Sequence, residues 1–315
     1  MKELVVLGID TSNYTTSVAI LTCDGRLLAN LKRPLPVKPG ERGLRQSDAV
    51  FAHTVNIPEL MKEAAEILAD KTVIAVGVSA TPRNEKGSYM PCFLTGVACA
   101  ESISAALGVK LYKFSHQCGH IMAAVYSAGD EELLGRDFGA FHISGGTTEL
   151  VRVSPSESGF DTKLLGGTAD LNAGQVIDRV GVMLGLPFPS GEELEKLSQG
   201  MPMTKGIKLS VKGFDCNMAG AENIAKKMLN DGRSREDIAA FALDFVIKTV
   251  DKMTENIMQM YTDLPILYAG GVAACGRMKT VFEKKYDCAF ALPQYSGDNA
   301  AGTALLAREK FLRKR

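Results

Sequence analysis

Two histidines one helical turn apart are the residues of this chain best suited to metal chemistry. His116 and His120 lie in the segment FSHQCGHIMAA. Side chains at positions i and i+4 of a helix share a face, so both imidazoles can reach one ion. The segment supplies no third ligand and lacks the glutamate of the HExxH protease signature. Two interpretations stay open: a metal site completed from elsewhere in the chain, and one buried histidine beside a solvated one.

Three turns rich in glycine, serine and threonine form a second set of candidates. They lie at residues 10–16, 144–148 and 269–276. Backbone N–H groups and hydroxyls that converge in such turns suit phosphate oxygens, although any tight turn also favours glycine. Asp10 and the Ser-Gly-Gly of residues 144–146 are therefore phosphate-side candidates. Together the turns predict a nucleotide cleft between two duplicated domains.

The elements that position these residues follow an α/β pattern. LVVLGID and TTSVAILT predict two strands, and CDGRLLAN predicts a further turn and strand, so the chain opens with a β-meander. The helix VNIPELMKEAAEILAD, the strand TVIAVGVSA and the helix FLTGVACAESISAALG follow, before the strand VKLYKFS. FGAFHISGGTTELVRVS then restarts the strand-turn-strand plan. We expect a first domain at residues 1–112, completed by the C-terminal helix 299–315, and a second domain at 113–298 carrying the metal and most nucleotide-binding residues.

Composition limits the classes of protein that fit. The 315 residues are 46% hydrophobic, and 36 basic side chains balance 36 acidic ones, so no overall positive charge indicates nucleic acid. The 7 cysteines include no CxxC pair, which argues against a disulfide framework and a zinc ribbon. No apolar run approaches the ~18 residues of a membrane span. We therefore expect a soluble protein of the reducing cytoplasm.

Six segments in one order carry a family resemblance: GIDTS, HQCGH, ISGGTTEL, GQVIDRVGVMLGLPFPSG, AGGVA and GDNAAG. In this order they resemble the TsaD family of tRNA threonylcarbamoyladenosine synthases, also called Gcp or glycoprotease-like proteins, over nearly the whole chain. Each glycine turn alone would suggest only the wider group of actin-like ATPases. The resemblance implies two duplicated actin-like domains of the ASKHA, ribonuclease H-like type, with a nucleotide cleft between them.

The resemblance also implies a set of site residues. It places one divalent metal on His116, His120 and Asp298, a set that leaves coordination positions open and suits zinc or iron. For Asp298 the N-cap of the last helix is the competing interpretation, because Asp favours helix starts. The other positions are implied to hold an adenine nucleotide, either ATP or threonylcarbamoyl-adenylate. They are Asp10, Ser144, Gly145, Gly146 and Thr147 on the phosphate side, Asp178 and Gly191 at the ribose, and Gly270, Gly271 and Cys275 in the adenosine loop.

The implied reaction transfers a threonylcarbamoyl group from its adenylate to N6 of adenosine in a tRNA. The metal would hold and polarise the adenylate phosphate, so no side-chain nucleophile is required and no catalytic residue is assigned beyond the metal site. Cys118 has no obvious partner other than the metal ligands that could act as its base. The implied partners are the tRNA and small proteins of the tRNA-modification complex, with no membrane.

Several positions depart from the family pattern. Tyr14 and Thr15 replace an acidic pair, Thr147 replaces a histidine, Glu222 replaces a lysine, and Cys275 replaces an asparagine. These departures spare the metal and fall where the acceptor would meet the protein, which indicates a divergent paralogue. The alternative function is therefore a nucleotide- and metal-binding paralogue with a regulatory or scaffold role, or with a different carbamoyl acceptor. A protease is disfavoured because no glutamate follows the first histidine.

Overall fold

The structure, a computed structural model, describes residues 2–12, 14–36, 44–295 and 297–313. Arg42, which the sequence offers with Arg45 and Arg83 either as an anion site or as part of a solvated loop, lies outside these residues. The chain forms two compact units. Unit 1 comprises Met1–Gly129, Pro155–Asp161 and Gln294–Arg315, and unit 2 comprises Asp130–Ser154 and Thr162–Pro293. These units divide the chain differently from the expected domains, because the helix that carries both histidines packs on elements of unit 1.

The secondary structure alternates strands and helices along the whole chain. The strands are β1 (Glu3–Asp10), β2 (Thr15–Thr22), β3 (Leu27–Pro34), β4 (Lys71–Thr81), β5 (Lys110–Ser115), β6 (Phe138–Ile143), β7 (Thr148–Ser156), β8 (Gly159–Gly167), β9 (Ser210–Lys212), β10 (Asp215–Asn217), β11 (Ile266–Ala269) and β12 (Cys288–Phe290). The α-helices are α1 (Gln46–Leu68), α2 (Phe93–Leu107), α3 (His116–Ala128), α4 (Ala173–Met183), α5 (Gly191–Leu197), α6 (Gly220–Asn230), α7 (Arg235–Met260), α8 (Gly276–Phe282) and α9 (Ala301–Leu312). Short 3-10 helices occupy Glu131–Leu134, Gly271–Ala274 and Pro293–Tyr295.

The sheet of unit 1 has the strand order β3-β2-β1-β4-β5. β1, β2 and β3 are antiparallel neighbours, whereas β4 and β5 run parallel to β1. The central strands are apolar on both faces because helices cover both. Leu60 and Ala64 of α1 and Ala100 of α2 pack into one apolar core with β1, β2 and β4, and α9 lies against β1 and β4.

The sheet of unit 2 repeats this plan, with the order β12-β11-β6-β7-β8. β6 and β7 form the antiparallel hairpin, and β11 and β12 run parallel to β6. The long helix α7 is buried along most of its length within the core of this unit. The turn after β1 and the turn after β6 therefore occupy equivalent places. The predicted duplication of one α/β plan is confirmed.

Some elements differ from the sequence-based expectation. α1 begins at Gln46, well before the predicted start, because a stripe of buried residues extends through its first half; the stripe consists of Ala49, His53, Ile57, Leu60 and Ala64. β8, the hairpin β9–β10, α6, α8 and β12 were not predicted, since most of them are short or largely polar. None of the helices in the described part of the chain combines the length and apolar character needed to cross a membrane.

Candidate functional site

Helix α3 presents both histidines from its first two turns. Its N-cap is Ser115, whose hydroxyl accepts a hydrogen bond from the N–H of Cys118 at 3.2 Å, so the helix begins at His116. The Nε2 atoms of His116 and His120 lie 2.9 Å apart. The predicted i, i+4 pair therefore converges on one point.

Asp298 completes this cluster from the far end of the chain. Its Oδ1 lies 3.4 Å from Nε2 of His116 and 3.3 Å from Nε2 of His120. The competing N-cap interpretation of Asp298 is wrong, because the N-cap of α9 is Ala300 and the side chain of Asn299 accepts the hydrogen bond from the N–H of Ala301. The carboxylate of Asp298 is thus free to face the two imidazoles.

Close packing between α3 and α9 explains how residues so distant in sequence meet. Gly302 lies in the first turn of α9, against the backbone of Gly119 in α3. A Cβ built on Gly302 would lie 1.8 Å from the carbonyl oxygen of Gly119. Only glycine permits this approach, which sets Asp298, just before α9, beside the residues that flank Gly119.

We expect Gly302→Ala to damage the site without altering a ligand. The added methyl must push α9 away from α3, and overpacking of this kind costs about 1–3 kcal/mol or more. Both the melting temperature and the bound metal per chain should fall, as measured by thermal unfolding and elemental analysis. Gly297→Ala is the matched control, because a Cβ there meets no atom within 4 Å. Equal metal content in the two variants would show that the α3–α9 contact does not position Asp298.

Asp10 supports this cluster from the end of β1. Its buried carboxylate lies 2.8 Å from Nδ1 of His116. It also accepts hydrogen bonds from the hydroxyl of Ser79 and, at 2.8 Å, from the N–H of Ser12. The sequence predicts Asp10 as a phosphate-side residue. In the structure its carboxylate instead contacts Nδ1 of His116, on the side of the ring opposite to Nε2. A carboxylate on the second nitrogen of a metal-ligating histidine fixes its tautomer and orientation.

Electrostatics in the cluster favours carboxylates that stay ionised. Burial lowers the pKa of His116, but attraction to Asp10 and hydrogen bonds with Asp10 and Asp298 outweigh burial and raise this pKa to about 10. Burial raises the pKa of Asp298, yet hydrogen bonds with His116 and His120 outweigh it and hold that pKa well below its usual range. For Asp10 the attraction of His116 likewise outweighs burial and lowers the pKa.

The donor set suits a transition metal. His116, His120 and Asp298 each offer one ligand atom, and these atoms all lie within 4.8 Å of one another. The lone pairs of two imidazole nitrogens 2.9 Å apart repel each other unless one nitrogen carries a hydrogen or both bind the same cation. Two imidazoles and one carboxylate fit zinc or iron, with positions left for a further ligand. Each of the three is only partly buried, so a ligand can approach.

We expect Asp10→Asn to weaken metal binding although Asp10 is not a ligand in this arrangement. The amide keeps the shape of the side chain but removes the charge that supports His116, and losses at such positions are about 10–100-fold in affinity. Competition with a chromogenic chelator measures the change. Asp24→Asn, at the distal end of the β2–β3 hairpin, makes the same chemical change as a control. An unchanged midpoint for Asp10→Asn would contradict the supporting role.

In unit 2 the predicted turn after β6 is a tight reversal. The N–H of Ser144 donates to the carbonyl of Thr147 at 2.7 Å, and the N–H groups of Gly146 and Thr147 point to the hydroxyl of Ser144. A Cβ on Gly145 or Gly146 would meet nothing within 4 Å, so open space borders the turn. A ligand oxygen can therefore approach the glycine backbone closely.

The glycine turn after β11 lies against this first turn. Gly270 has φ +101°, and a Cβ there would lie 2.3 Å from the carbonyl oxygen of Ile143, at the end of β6. Gly271 follows at the start of a short 3-10 helix, which ends before Cys275. Burial raises the pKa of the Cys275 thiol to about 11. The thiol is therefore a neutral, buried group.

Asp178 and Gly191, the two residues predicted to lie at the ribose, are brought near each other through Ser190. Oδ1 of Asp178 accepts a hydrogen bond from the N–H of Ser190 at 2.7 Å, directly before Gly191 at the start of α5. α5 in turn holds the start of α8, because Glu195 accepts from the N–H of Arg277 at 3.0 Å. A cavity of about 560 Å³ is lined by α5, the segment after it and α8.

One group of polar residues was missed by sequence reasoning. A cavity of about 250 Å³ borders Gly146 and Thr147 and is lined on its other sides by Thr168, Asn172 and Asp215, among others. The capping box of α4, formed by Asn172 and Gln175, is the sequence signal that could have identified one of them.

Two of the residues that depart from the family pattern, Glu222 and Tyr14, have partly exposed side chains. Glu222 forms an ion pair with Arg179 at 2.9 Å on the surface of unit 2. Tyr14 is 42% exposed in unit 1. Neither belongs to the cluster of His116, His120 and Asp298, so this cluster keeps its arrangement without the acidic pair and the lysine.

A family model and a similar protein sequence both identify the same family. A family model described as TsaD, tRNA N6-adenosine threonylcarbamoyltransferase, matches residues 38–305. A tRNA N6-adenosine threonylcarbamoyltransferase of Carboxydothermus hydrogenoformans is 30% identical over 321 residues, covering 98% of this chain and 92% of the relative.

Solved structures resemble the chain in fold. Component A of the (R)-2-hydroxyglutaryl-CoA dehydratase of Acidaminococcus fermentans superposes with a TM-score of 0.52 at 17% identity, over 98% of both chains. A ROK family glucokinase of Streptomyces griseus gives a TM-score of 0.52 at 12% identity, over 97% of this chain and 99% of that one. At such identities the likeness concerns the fold alone, and it confirms the predicted two-domain actin-like fold.

Proposed function

The chain belongs to the TsaD family of tRNA N6-adenosine threonylcarbamoyltransferases, and we propose from this membership that it transfers a threonylcarbamoyl group from its adenylate to N6 of adenosine in tRNA. The observation that carries the proposal is the convergence of His116, His120 and Asp298 in unit 1 of a chain that matches the family along most of its length. The attacking amine forms a new bond to the carbonyl carbon. The bond from that carbon to the phosphate oxygen breaks, AMP leaves with the electron pair, and the amine loses its proton to solvent.

Residues of unit 1 hold the metal in this scheme. His116, His120 and Asp298 would hold it, and Asp10 would keep His116 in the tautomer whose Nε2 carries no hydrogen. When bound, a zinc or iron ion supplies Lewis-acid polarisation of the phosphate or carbonyl oxygen.

The arrangement argues against a cysteine nucleophile. Burial raises the pKa of the Cys118 thiol, and its S–H donates to the carbonyl of Phe160 at 3.2 Å. A neutral, buried thiol without a base beside it is a poor nucleophile. Direct attack by the tRNA amine therefore fits the site better than a covalent intermediate.

Residues of unit 2 fit the adenylate. The open space beside Gly145 and Gly146 allows phosphate oxygens to approach backbone N–H groups. One carboxylate oxygen of Asp178 accepts a hydrogen bond from the N–H of Ser190, and the second oxygen can accept a hydrogen bond from a ribose hydroxyl. We propose ATP or threonylcarbamoyl-adenylate as the nucleotide.

The test is incubation of the metal-loaded protein with threonylcarbamoyl-adenylate and unmodified tRNA. The assay is run with the protein alone and with the small proteins of the tRNA-modification complex from the same source. Modified adenosine, detected by mass spectrometry of digested tRNA, is the expected product. Its absence in every combination, with metal shown to be bound, would overturn the proposal.

A second candidate is a regulatory or scaffold paralogue that binds adenylate without turnover, or a transferase with another carbamoyl acceptor. It is favoured by the Arg179–Glu222 ion pair, which neutralises a position where the family resemblance implies a free positive charge. Tight binding of the adenylate together with no tRNA product would support this candidate.

A further inference from the structure

Two buried hydroxyl groups, those of Ser79 and Thr303, form a chain that leads to Asp10. Ser79 lies near the end of β4 and Thr303 in the first turn of α9, and both residues are 0% exposed. The hydroxyl of Ser79 donates to Oδ2 of Asp10, and Oγ1 of Thr303 lies 3.1 Å from Oγ of Ser79. The chain therefore connects α9 and β4 to the carboxylate at the end of β1.

Two glycines allow α9 to lie close enough to the sheet for this chain to form. Gly8 on β1 and Gly77 on β4 are paired across the two strands. A Cβ on either glycine would lie 2.5 Å from a backbone carbonyl oxygen at the start of α9. Side chains two residues apart on a strand point to the same face of the sheet. Asp10 and Ser79 therefore follow the two glycines on the face that α9 covers.

The number of hydrogens fixes the direction of each hydrogen bond in the chain. An ionised carboxylate only accepts hydrogen bonds, so the single hydroxyl hydrogen of Ser79 goes to Asp10. The oxygen of Ser79 is then the acceptor in its contact with Thr303, and the hydroxyl of Thr303 is the donor. Both hydroxyls thus direct their hydrogens toward the carboxylate.

The chain holds the oxygen of Asp10 that meets the imidazole. Oδ1 of Asp10 accepts a hydrogen bond from the N–H of Ser12 at 2.8 Å. Oδ2 accepts the hydrogen bond from Ser79 and lies 2.8 Å from Nδ1 of His116. With both oxygens held, the carboxylate has one orientation toward the ring. Groups that hydrogen-bond to a metal-ligating histidine in this way set the orientation of its ring.

We propose that Ser79 and Thr303 are positioning residues that act through Asp10 to orient His116 for metal binding. The inference rests on the proposed metal site and adds one residue of β4 and one of α9 to those that support it. Asp298 lies just before α9. The same helix therefore positions the carboxylate ligand directly and, through the hydroxyl of Thr303, one of the imidazole ligands.

Removal of the hydroxyls with little change of shape is the first part of the test. Thr303→Val and Ser79→Ala each delete one hydroxyl, and competition with a chromogenic chelator measures the zinc affinity of the full-length variants. We expect each to lose about 2–10-fold, the effect of one net hydrogen bond. The loss should be smaller than that of Asp10→Asn, because both hydroxyls act on His116 through Asp10.

Thr303→Ser separates the loss of the hydroxyl from the loss of packing. Serine keeps the donor and lacks the methyl, so zinc affinity should return to about the wild-type value although valine is closer to threonine in size. Thr254→Val is the matched control, since Thr254 is a buried threonine of α7 whose hydroxyl lies 2.8 Å from that of Tyr268. This variant should keep its zinc affinity. Equal losses in Thr303→Val and Thr303→Ser would contradict the role of the hydroxyl.

A double-variant cycle tests whether the chain acts through Asp10. In an Asp10→Asn background, Ser79→Ala should cost little further zinc affinity, because the charge that Ser79 orients is already absent. The same fold-loss in both backgrounds would show that Ser79 acts on the fold and not on His116.

Unchanged zinc affinity in Ser79→Ala and Thr303→Val would overturn the inference. Because the readout is zinc binding, it is independent of transfer to tRNA. If the wild type binds zinc, the two variants bind it less tightly and no modified adenosine forms, the proposed transfer is contradicted and the positioning role stands. A wild type that binds no zinc would contradict the metal site and this inference together.

Discussion

Asp298→Asn is expected to lose at least about tenfold in metal affinity while leaving the fold intact. The amide is a poorer ligand than a carboxylate for a hard or borderline cation, and the variant removes the only negative charge among the three ligand atoms. Stability should hardly change, because Asn299 and not Asp298 accepts the hydrogen bond from the N–H of Ala301. Elemental analysis and thermal unfolding of the same sample measure both effects.

The ligands should behave as one unit. His120→Ala should lose a comparable amount of metal, and the double variant should be little worse than either single variant, since the ion is already lost. If the proposed function holds, transfer should fall by on the order of 10²-fold or more, as expected when several kcal/mol of Lewis-acid stabilisation is removed. Asp70→Asn, an exposed carboxylate that pairs with Lys71, is the matched control. Full metal content in Asp298→Asn would mean that the histidine pair is not completed by this residue.

Arg277→Leu should cause the largest loss of stability in unit 2. The guanidinium binds both oxygens of Asp244, at 2.6 and 3.0 Å, and the carbonyl of Met201 at 2.9 Å. The side chain of Asp244 is 0% exposed. Removing one partner of a buried pair leaves an uncompensated charge and costs about 3–5 kcal/mol. We expect the melting temperature of this unit to fall by on the order of 10 °C.

Arg277→Leu should also disturb the residues predicted to bind the nucleotide. Arg277 is the second residue of α8, two positions after Cys275, and its backbone N–H donates to Glu195 of α5. Adenine nucleotide affinity should therefore fall together with stability. Pairing Arg277→Leu with Asp244→Asn removes the stranded charge and should recover much of the melting temperature. A single variant as stable as the wild type would show that the ion pair contributes little.

The metal cluster could be predicted because its signals are local or shared by a family. The i, i+4 spacing of His116 and His120 follows from helix geometry, and the family resemblance supplied Asp298. Its meeting with the histidines depends on the Gly119–Gly302 contact, and no pattern in either segment indicates that these two glycines touch. Three-dimensional packing, unlike periodicity, leaves no trace that a single sequence reveals.

The role inferred for Asp10 changed between sequence and structure, again because three-dimensional packing determines what its carboxylate contacts. A turn of Asp, Thr and Ser after a strand suits phosphate. Only the position of α3 in the structure shows that the carboxylate of Asp10 faces His116. In contrast, the repeated hairpins β1–β2 and β6–β7 were predictable, since each combines alternating apolar strands with turn residues.

The most direct measurement of the central claim is transfer activity as a function of bound metal. The protein is stripped with chelator, shown by elemental analysis to hold no metal, and assayed with threonylcarbamoyl-adenylate and unmodified tRNA before and after one equivalent of zinc or iron is returned. We predict no modified adenosine from the stripped wild type, recovery after metal is returned, and no recovery in Asp298→Asn at the same metal concentration. Undiminished transfer by the stripped wild type would contradict the assignment of His116, His120 and Asp298 as the metal site of the reaction.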